Sequence, residues 1–275
     1  MQQIEGRVAV VTGAGSGIGR AVSLELAACG ADVALVDVSE SRLQEVLKDI
    51  EALGRHATLH TIDVSDREQM QALPEQVIAL HGAVHILVNN AGVSVNLPFA
   101  EQSLEDLEWI SGINYWGVMY GCKYFLPYLQ QQDEAHIVNM SSSAGLTGMA
   151  GQSSYAATKF AVRGLSESLY VELAATNVGI TCVHPGAVAT NIVADARMEA
   201  DHKAKMLKMF HLAMPPEKAA RLIVKAIRRQ RFKLVFCVES RVLDFMKRIL
   251  PVSTLRLMRW FKRRQPAVSD QVQTQ

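Results

Sequence analysis

The sequence predicts an α/β fold in which helices cover both faces of a parallel sheet. Short apolar runs recur along the 275 residues, and segments with helical periodicity lie between them. Strands that alternate with helices in this way are typical of parallel sheets with crossover helices on both faces. We therefore expect one domain with a single core, which a chain of this length can form.

Seven apolar runs are predicted to be the strands. In chain order they are RVAVVTG, DVALVDV, HATLHTIDV, VHILVNNAG, AHIVNMSSSAG, GITCVHPG and FKLVFCV. The helix after the second strand is expected to have Ser39 as its N-cap and Gly54 as its stop. Pro74 is expected to interrupt the third helical segment. Longer helices are expected over about 104–131 and 155–175.

Charge and cysteine content exclude several classes of protein. The formal net charge of +1 gives no general attraction to nucleic acid. The four cysteines have neither the spacing of metal ligands nor that of a disulfide framework, so we predict no metal site and a reducing compartment. The N-terminus lacks signal-peptide features, and no uncharged apolar run is long enough to span a membrane. These features predict a cytoplasmic protein.

A glycine-rich turn follows the first strand, in the sequence TGAGSGIGR. Glycine allows a sharp turn and a close approach to a ligand, and the N-terminus of the next helix attracts phosphate groups. The spacing T-G-x-x-x-G-x-G differs from the G-x-G-x-x-G dinucleotide fingerprint. The turn alone therefore leaves two readings open, a dinucleotide site and a tight turn that binds nothing.

The second strand ends at Asp37, 24 positions after Gly13. An acid near this spacing bonds the ribose hydroxyls of adenosine, and its charge repels a 2′-phosphate. Neither Ser16 nor Val38 offers a cation for that phosphate, and Arg20, the nearest candidate, is expected on the far side of its helix. These residues favour NAD over NADP, although a solvated strand end would also explain Asp37.

Tyr155 and Lys159 are four residues apart in the segment SSYAATKFA. If the segment is helical, the two side chains share one face. A lysine cation there would lower the pKa of the phenol from its usual value of about 10, which would make the tyrosine a general acid or base. The same spacing also arises by chance in helices, so the pair alone does not decide.

Five motifs in one order resemble the short-chain dehydrogenase/reductase family, in its single-domain, NAD(P)-dependent branch. They are TGAGSGIG at 12–19, NNAG at 89–92, Asn114 in NYWGVMYG, Ser142 thirteen residues before the Tyr155-x-x-x-Lys159 pair, and PGAVAT at 185–190. The resemblance is close over about 7–190 and looser beyond. It implies a doubly wound Rossmann fold with a seven-stranded parallel sheet, a nicotinamide cofactor, and interconversion of an alcohol and a carbonyl.

The resemblance also implies roles for four residues, which we predict to be catalytic. Tyr155 would exchange a proton with the substrate oxygen. Lys159 would bond the nicotinamide ribose and lower the pKa of the tyrosine. Ser142 would hydrogen-bond the same substrate oxygen, and Asn114 would hold a water that links Lys159 to solvent.

The remaining matches to the family are predicted cofactor contacts, which Tyr155 and Lys159 join. They comprise the glycine turn, the acid and its neighbour, the pair beside the adenine ring, the loop over the adenosine ribose and the segment along the nicotinamide. In that order they are Gly13, Ser16, Gly17, Ile18 and Gly19; Asp37 and Val38; Asp63 and Val64; Asn90, Ala91 and Gly92; and Pro185, Gly186, Val188 and Thr190. His184 receives no role.

The resemblance loosens after Thr190, where the family binds its substrates. The predicted Rossmann catalytic domain covers 1–239 and includes a substrate loop at about 190–214. Methionines in this loop favour a hydrophobic alcohol or ketone over a sugar, although ordinary helix packing would use them equally well. Phe210, Leu212 and Met214 are predicted to form a lid over the substrate.

A basic amphipathic extension is predicted at 240–275. Between Ser240 and Arg264, eight basic residues stand against one aspartate, for a net charge of +7. Pro251 is expected to split this segment into two short helices, and the last ten residues are expected to fray. The pattern suits peripheral contact with an anionic membrane, at its inner surface. It suits packing on the same or a neighbouring subunit equally well.

The combined prediction is an NAD-dependent oxidoreductase that interconverts a hydrophobic, lipid-, steroid- or retinoid-like secondary alcohol and its ketone. Two alternatives remain, an NADP-dependent carbonyl reductase and a non-catalytic NAD-binding sensor or scaffold. The resemblance also implies a homodimer or homotetramer paired through the helices that begin near Leu104 and Tyr155. No nucleic-acid partner is expected.

Overall fold

A computed structural model describes residues 1, 3–210 and 213–264, without the side chains of 209 and 210. Seven parallel strands form the main sheet, and two short strands form a second one. In chain order the strands are β1 (Val8–Thr12), β2 (Asp32–Asp37), β3 (Ala57–Thr61), β4 (Ile86–Asn89), β5 (Val95–Asn96), β6 (Ala135–Met140), β7 (Val178–His184), β8 (Arg197–Met198) and β9 (Lys233–Val235). The order across the main sheet is β3-β2-β1-β4-β6-β7-β9, which confirms the predicted doubly wound Rossmann fold.

Ten α-helices are found in the described part of the chain. They are α1 (Gly17–Ala28), α2 (Glu40–Ala52), α3 (Arg67–His81), α4 (Leu104–Ser111), α5 (Gly117–Leu129), α6 (Ser153–Glu172), α7 (Ala200–Phe210), α8 (Pro216–Arg228), α9 (Val238–Ile249) and α10 (Pro251–Arg264). Apolar side chains of α1, α2 and α8 pack on one face of the sheet. Those of α3, α5 and α6 pack on the other, so the core has two layers with the sheet between them.

The helix predicted over about 104–131 has an interruption that the sequence does not reveal. α4 ends at Ser111, a π-helical turn spans Gly112–Trp116, and α5 follows at once. A π turn widens the helix locally and is frequent at functional sites. This one contains Asn114, which is fully buried.

The predicted interruption at Pro74 is wrong. α3 runs through this residue from Arg67 to His81, and Pro74 itself is buried against the core. Both ends of the helix are held by caps: the Asp66 carboxylate accepts hydrogen bonds from two backbone N–H groups of the first turn, and Gly82 ends the helix in the left-handed conformation. These caps and the buried packing offset the single backbone hydrogen bond that proline cannot donate.

The second sheet ties the segment after Thr190 to the body of the protein. β5 pairs with β8 in parallel, Val95 beside Arg197. The guanidinium of Arg197 donates to Asp106 at 2.7 Å and lies 4.1 Å from the ring centre of Trp109. The predicted substrate loop is therefore anchored on α4 in its first third, at Arg197.

Two α-helices, α9 and α10, follow the last strand and are separated at Pro251, as expected for this residue. The predicted fraying of the last ten residues lies outside the described part of the chain. None of the described helices combines the length and apolar character needed to cross a membrane. No cluster of three or more His, Cys, Asp and Glu side chains that could hold a metal ion occurs among the described residues.

Gly121 in α5 lies directly against the end of β4, because a Cβ atom there would be 2.1 Å from Asn89 Oδ1. The substitution Gly121→Ala therefore forces either the buried Asn89 side chain or the helix to shift. We expect it to lower the free energy of unfolding by about 1–3 kcal/mol, the usual range for overpacking. Urea denaturation of the variant and the wild type measures the difference.

Gly164→Ala is the matched control, since nothing lies within 4 Å of a Cβ at this position in α6. Alanine is more favourable than glycine inside a helix by about 0.5–1 kcal/mol, so this variant should be slightly more stable than the wild type. A similar loss of stability in both variants would contradict the close packing of α5 on β4.

Candidate active site

A cavity of about 460 Å³ opens at the carboxyl ends of the central strands. Its walls come from the segments that follow β1, β2, β4, β6 and β7. The order of the sheet reverses between β1 and β4, and ligands of doubly wound folds bind at this reversal. The topology alone therefore places a binding site here.

The cavity brings together all but two of the residues predicted for the site. Gly19 and Asn114 lie behind its wall. The others line it directly: Gly13, Ser16, Gly17, Ile18, Asp37, Val38, Asp63, Val64, Asn90, Ala91, Gly92, Ser142, Tyr155, Lys159, Pro185, Gly186, Val188 and Thr190.

The glycine turn has a shape that only glycine allows. Gly13 and Gly17 have φ values of +64° and +54°, in the left-handed region. A Cβ on Gly19 would lie 2.0 Å from the carbonyl oxygen of Gly13, and one on Gly17 would lie 3.0 Å from the Thr190 side chain. Gly19 thus lets α1 pack on the turn, and Gly17 lets the segment after β7 fold over it.

The loop after β4 is fixed to the glycine turn by Asn90. Its side-chain amide donates to the carbonyl oxygens of Thr12 and Gly13, at 2.9 and 3.3 Å. The Thr12 hydroxyl accepts the backbone N–H groups of Asn90 and Ala91. The side-chain amide of Asn90 therefore already has hydrogen-bond partners within the protein, and the residue forms part of the cavity wall.

The carboxylate of Asp37 is held at the end of β2. Oδ2 accepts the N–H of Gly15 and Oδ1 accepts the N–H of Ser39, both at 3.0 Å. Each carboxylate oxygen keeps capacity for a further hydrogen bond, which a ribose hydroxyl could donate. With the α1 N-terminus on the other side of the turn, this donor set fits the adenosine half of a dinucleotide.

Tyr155, Ser142 and Lys159 meet on one wall of the cavity. The Ser142 side chain acts on the phenol of Tyr155 and lowers its pKa. Lys159 Nζ lies 5.7 Å from the centre of the tyrosine ring and donates to the carbonyl oxygen of Met140 at 3.0 Å. The helix therefore brings the tyrosine and the lysine to one face, as the four-residue spacing predicts.

The direction of the Tyr155 pKa corrects the sequence-based expectation. Burial in the protein raises the pKa of the phenol, and the Ser142 side chain lowers it by less. The ammonium of Lys159 was expected to lower this pKa, whereas burial, which removes water from the phenol, is the largest cause and acts in the opposite direction. The same burial lowers the pKa of Lys159 to about 8.

The three serines of SSS at 141–143 have separate contacts. Ser141 donates to the carbonyl oxygen of Lys159 at 2.8 Å, which ties the end of β6 to α6. Ser142 accepts the N–H of Ala144 with its hydroxyl oxygen. Ser143 donates its backbone N–H to the carbonyl oxygen of Pro185. Of the three, Ser142 is the one whose side chain lowers the pKa of the Tyr155 phenol.

Asn114 supports the wall from behind. Its side-chain oxygen accepts the N–H of Val93 at 2.8 Å, and its amide donates to the Val93 carbonyl at 2.9 Å. A Cβ on Gly92 would lie 3.2 Å from Asn114 Oδ1 and 3.3 Å from Lys159 Nζ. Glycine at position 92 therefore leaves the space in which both polar groups fit.

The family follows from the whole arrangement and from comparison with known proteins. The model of the short chain dehydrogenase family matches residues 7–201. This chain belongs to the short-chain dehydrogenase family.

Relatives of this family member are oxidoreductases. A Mycobacterium tuberculosis protein named "Putative oxidoreductase SadH" is 38% identical over 264 residues, which are 94% of this chain and 96% of the relative. The cyclohexanol dehydrogenase of Acinetobacter sp. strain SE19 is 33% identical over 220 residues, covering 79% and 86% of the two chains. This short-chain dehydrogenase is accordingly an oxidoreductase that acts on CH–OH donors.

A solved structure agrees with this assignment. The structure of a short chain dehydrogenase/reductase from Burkholderia phymatum in complex with NAD is similar, with a TM-score of 0.81 and 32% identity. The match covers 97% of this chain and 98% of the other.

Arg42 is a cavity residue of this short-chain dehydrogenase that the sequence analysis missed. It lies on the first turns of α2 and lines the same end of the cavity as Asp37 and Val38. A Cβ on Gly15 would lie 2.9 Å from Arg42 Cβ and 3.0 Å from Asp37 Oδ2, so the two charged residues flank one glycine. Arg20, the cation considered instead, pairs with Asp49 outside the cavity. The available signal was the position of Arg42, five residues after the acid and in the first turn of the next helix.

His184 has a supporting contact that sequence reasoning did not assign. Its ring Nδ1 lies 3.1 Å from the carbonyl oxygen of Ser142, and its Nε2 lies 3.4 Å from the sulfur of Cys182. Burial lowers the pKa of His184 to about 4, so the ring is neutral at physiological pH. A neutral ring with a hydrogen on Nδ1 donates to the Ser142 carbonyl and steadies the backbone at that residue.

At the far end of the cavity, Met149, Ile192, Val193 and Met206 form the wall together with the polar residues Asn191 and Asp195. Two amides there have partners within the protein: Gln152 donates to Asn96 at 2.6 Å, and Asn96 donates to Ser94 at 2.9 Å.

The predicted lid is described only in part. Leu212 and the side chain of Phe210 lie outside the described residues. Met214 exchanges backbone hydrogen bonds with Ala187 and Ala189, beside Val188, and does not line the cavity.

The lowered pKa of Lys159 makes stability depend on pH. Because this pKa falls from 10.5 to about 8 in the folded state, the unfolded chain binds more protons than the folded chain between these values. The group therefore contributes stability that is full above about pH 10.5 and is lost as the pH falls to about 8. Over this window we expect the wild type to lose about 2–4 kcal/mol more than Lys159→Met in free energy of unfolding.

Urea denaturation at several pH values measures this difference. Lys123→Met is the control, since it removes an exposed lysine from α5 and should leave the pH profile of the wild type unchanged. Parallel profiles of the wild type and Lys159→Met would show that the buried ammonium has no such pKa shift.

Proposed function

We propose that this chain is an NAD-dependent dehydrogenase that interconverts a hydrophobic secondary alcohol and its ketone. The observation that carries the proposal is the meeting of Tyr155, Ser142 and Lys159 on one wall of a cavity that continues to the glycine turn. A proton donor and a site for a dinucleotide are thus close enough to serve one substrate.

The proposed roles follow from the contacts of each group. Tyr155 is the only phenol on the cavity wall of the described chain, and it would pass a proton to or from the substrate oxygen. Ser142 lines the same wall and lowers the pKa of this phenol, so its hydroxyl would donate to the substrate oxygen and stabilise charge there. Asn114 is a positioning residue, since it holds the backbone at Val93 beside Lys159.

The raised pKa of Tyr155 favours the protonated phenol, which is the form that ketone reduction needs. A phenol with a raised pKa keeps its proton at neutral pH and is ready to donate it to a ketone. In the direction of alcohol oxidation the phenol must lose this proton, which positive charge beside it assists. Lys159, with a pKa of about 8, carries such a charge at neutral pH.

The cofactor would supply the chemistry that the protein lacks. When bound, the nicotinamide ring accepts or supplies the hydride that an alcohol loses or a ketone gains. The segment of Pro185, Gly186, Val188 and Thr190 would line this ring, and Lys159 would bond its ribose. Gly13 to Ile18 would hold the pyrophosphate, with Asp63, Val64 and the Asn90–Gly92 loop along the adenosine.

NAD is proposed over NADP because of Asp37. Its carboxylate is fixed by two backbone N–H groups and cannot swing away from a 2′-phosphate without breaking them. Arg42 supports the alternative of an NADP-dependent reductase, since it is a cation on the same rim. The fixed carboxylate carries more weight, because it adjoins the turn itself.

A hydrophobic substrate is proposed from the far end of the cavity. The apolar residues there face a space in which the amides of Gln152 and Asn96 already have partners. A sugar would leave hydroxyl groups unpaired against Met149 and Met206, which costs free energy. The name of the cyclohexanol dehydrogenase from Acinetobacter sp. strain SE19 is in keeping with an apolar alcohol.

We also propose that the protein is a cytoplasmic homodimer or homotetramer whose subunits pair through α4 and α6. Three large apolar side chains are exposed there, at 76%, 46% and 40%: Leu104 of α4, Trp116 of the π turn after it, and Phe160 of α6. Large apolar side chains left in solvent on adjacent helices are typical of an interface. Residues 1–239 would form the catalytic unit and residues 240–275 an extension of it.

Replacing the phenol tests the proposal directly. Tyr155→Phe should lower kcat by about 10²–10⁴-fold, the usual contribution of a general acid or base, and should leave NAD affinity largely unchanged. Turnover is measured on the best alcohol from an NAD-linked panel of steroids, retinoids, fatty alcohols and short diols, and affinity by calorimetry.

Tyr170→Phe in the same helix is the control, since Tyr170 is exposed and lies outside the cavity. Equal losses of turnover and NAD affinity in Tyr155→Phe would refute its role as acid or base. A wild type that binds NAD but oxidises nothing in the panel would support a non-catalytic sensor instead.

Removing the Asp37 carboxylate should reverse the cofactor preference. Wild type should bind NAD more tightly than NADP, and Asp37→Ser should gain NADP affinity by about 10–100-fold, since Arg42 can then bond the 2′-phosphate and such charged bonds contribute about 1.5–3 kcal/mol. Adding Arg42→Ala to this variant should remove the gain. Calorimetric titration measures all four affinities, and a wild type with higher affinity for NADP would contradict the role of Asp37.

A further inference from the structure

The last two helices carry a large share of the exposed apolar side chains. Among the described residues, ten of the twenty exposed large hydrophobic side chains lie between Val238 and Phe261. Such a concentration of exposed apolar side chains on two helices is unusual for a monomer and indicates a site of interaction. We therefore expect the surface of α9 and α10 to bind a partner.

α9 turns its apolar stripe away from the protein. At 100° per residue its four apolar members fall within an arc of about 60°. They are 75%, 51%, 64% and 59% exposed: Val238, Val242, Phe245 and Ile249. A helix that only completed the core would bury such a stripe.

The opposite face of α9 is firmly attached, so the exposure is not the result of a loose helix. Ser240 is fully buried, and Asp244 pairs with Lys233 of β9 at 2.5 Å. A Cβ on Gly186 would lie 2.6 Å from the Ser240 hydroxyl oxygen. The contacts on this face fix the direction in which the apolar stripe points.

α10 turns a basic stripe outward. Its buried residue is Thr254, and Met258, one turn on, has its sulfur 3.9 Å from the Thr147 hydroxyl. The stripe lies on the opposite side of the helix, within an arc of about 60°. It consists of three exposed arginines, none of which pairs with a described acidic residue: Arg256, Arg259 and Arg263.

We propose that α9 and α10 dock this protein on an anionic phospholipid surface. The apolar stripe of α9 enters the boundary between headgroups and acyl chains, and the basic stripe of α10 binds the headgroup phosphates. Charge selects this partner over a second copy of the chain, because residues 240–264 carry +7 and two such segments repel each other. The interleaving of Trp260 and Phe261 with arginine is typical of helices that lie in a membrane interface.

Docking would place the cavity beside the lipid. α9 packs on Gly186, which lines the cavity, and α10 contacts Thr147, which follows the loop of Ser142. An apolar alcohol or ketone dissolved in the lipid would then be concentrated near the cavity wall. This consequence rests on the proposed function, whereas the docking itself does not.

Vesicle flotation of the full chain tests the docking without any measurement of turnover. We expect the wild type to float with vesicles of phosphatidylcholine and phosphatidylglycerol and to remain unbound with pure phosphatidylcholine. Each cation near an anionic surface contributes about fivefold to binding, so the triple variant Arg256→Gln, Arg259→Gln, Arg263→Gln should bind about 100-fold more weakly.

Two matched control variants test whether flotation depends on the two stripes or only on the total charge and apolar surface of the protein. Lys218→Gln, Arg221→Gln and Lys225→Gln together neutralise three exposed cations on α8 and should leave flotation close to that of the wild type. Phe245→Ser with Ile249→Ser should weaken flotation on the anionic vesicles. Leu53→Ser with Leu80→Ser, which changes two exposed leucines elsewhere, should not.

The other outcomes overturn the proposal. They are failure of the wild type to float, equal flotation on both kinds of vesicle, and equal losses in the α8 and α10 variants. Self-association of the wild type that is lost in Phe245→Ser with Ile249→Ser, without any flotation, would assign the surface to a second copy of the chain. Turnover of the α10 variant on a water-soluble alcohol is measured alongside, so loss of docking is distinguished from loss of the enzyme.

Discussion

The buried ammonium of Lys159 is the group on which the geometry of the cavity depends. It is 3% exposed, and burying a cation costs several kcal/mol unless the protein supplies partners. The Met140 carbonyl at the end of β6 is one such partner, at 3.0 Å. A Cβ at position 92 would lie 3.3 Å from the ammonium, so glycine leaves it room, and Asn114 accepts the N–H of the adjoining Val93. The ammonium thus lies where the end of β6, the loop after β4 and the helix α6 meet.

Side-chain hydrogen bonds then connect the loops into a single wall. Asn90 joins the loop after β4 to the turn after β1, and Ser141 joins the end of β6 to α6. His184 at the end of β7 contacts the carbonyl of Ser142 across the sheet. Parallel strands bring these loops to one edge, but such bonds set their relative positions to the precision that proton transfer needs.

The sequence predicted the sheet and most of the cavity because both follow local rules. Apolar runs marked the seven strands, and Gly13, Asp37 and Ser142 stand at the carboxyl ends of strands that a parallel sheet must align. The features that it could not predict depend on contacts between residues far apart in the sequence. The π turn contains Asn114, whose side chain hydrogen-bonds Val93, 21 positions away. Arg42 belongs to no motif, and β5 and β8 are each two residues long.

The Tyr155 pKa shows the same limit in energetic terms. Spacing placed a cation near the phenol, but it gave no measure of how much water the fold removes from both groups. Removal of water disfavours the charged forms, so the pKa of Tyr155 rises while that of Lys159 falls. The pair therefore favours a neutral phenol until further positive charge arrives, and the state of the site depends on what occupies the cavity.

The C-terminal extension takes part in the same wall. Between β9 and α9 the chain passes through Cys237, a non-glycine residue with φ of +74°, a conformation that costs about 1–3 kcal/mol. This turn aims α9 at Gly186, where the lack of a side chain lets Glu239 and Ser240 approach within van der Waals range of the backbone. Since Gly186 lines the cavity, α9 packs directly on the segment proposed to hold the nicotinamide, with no further element between them.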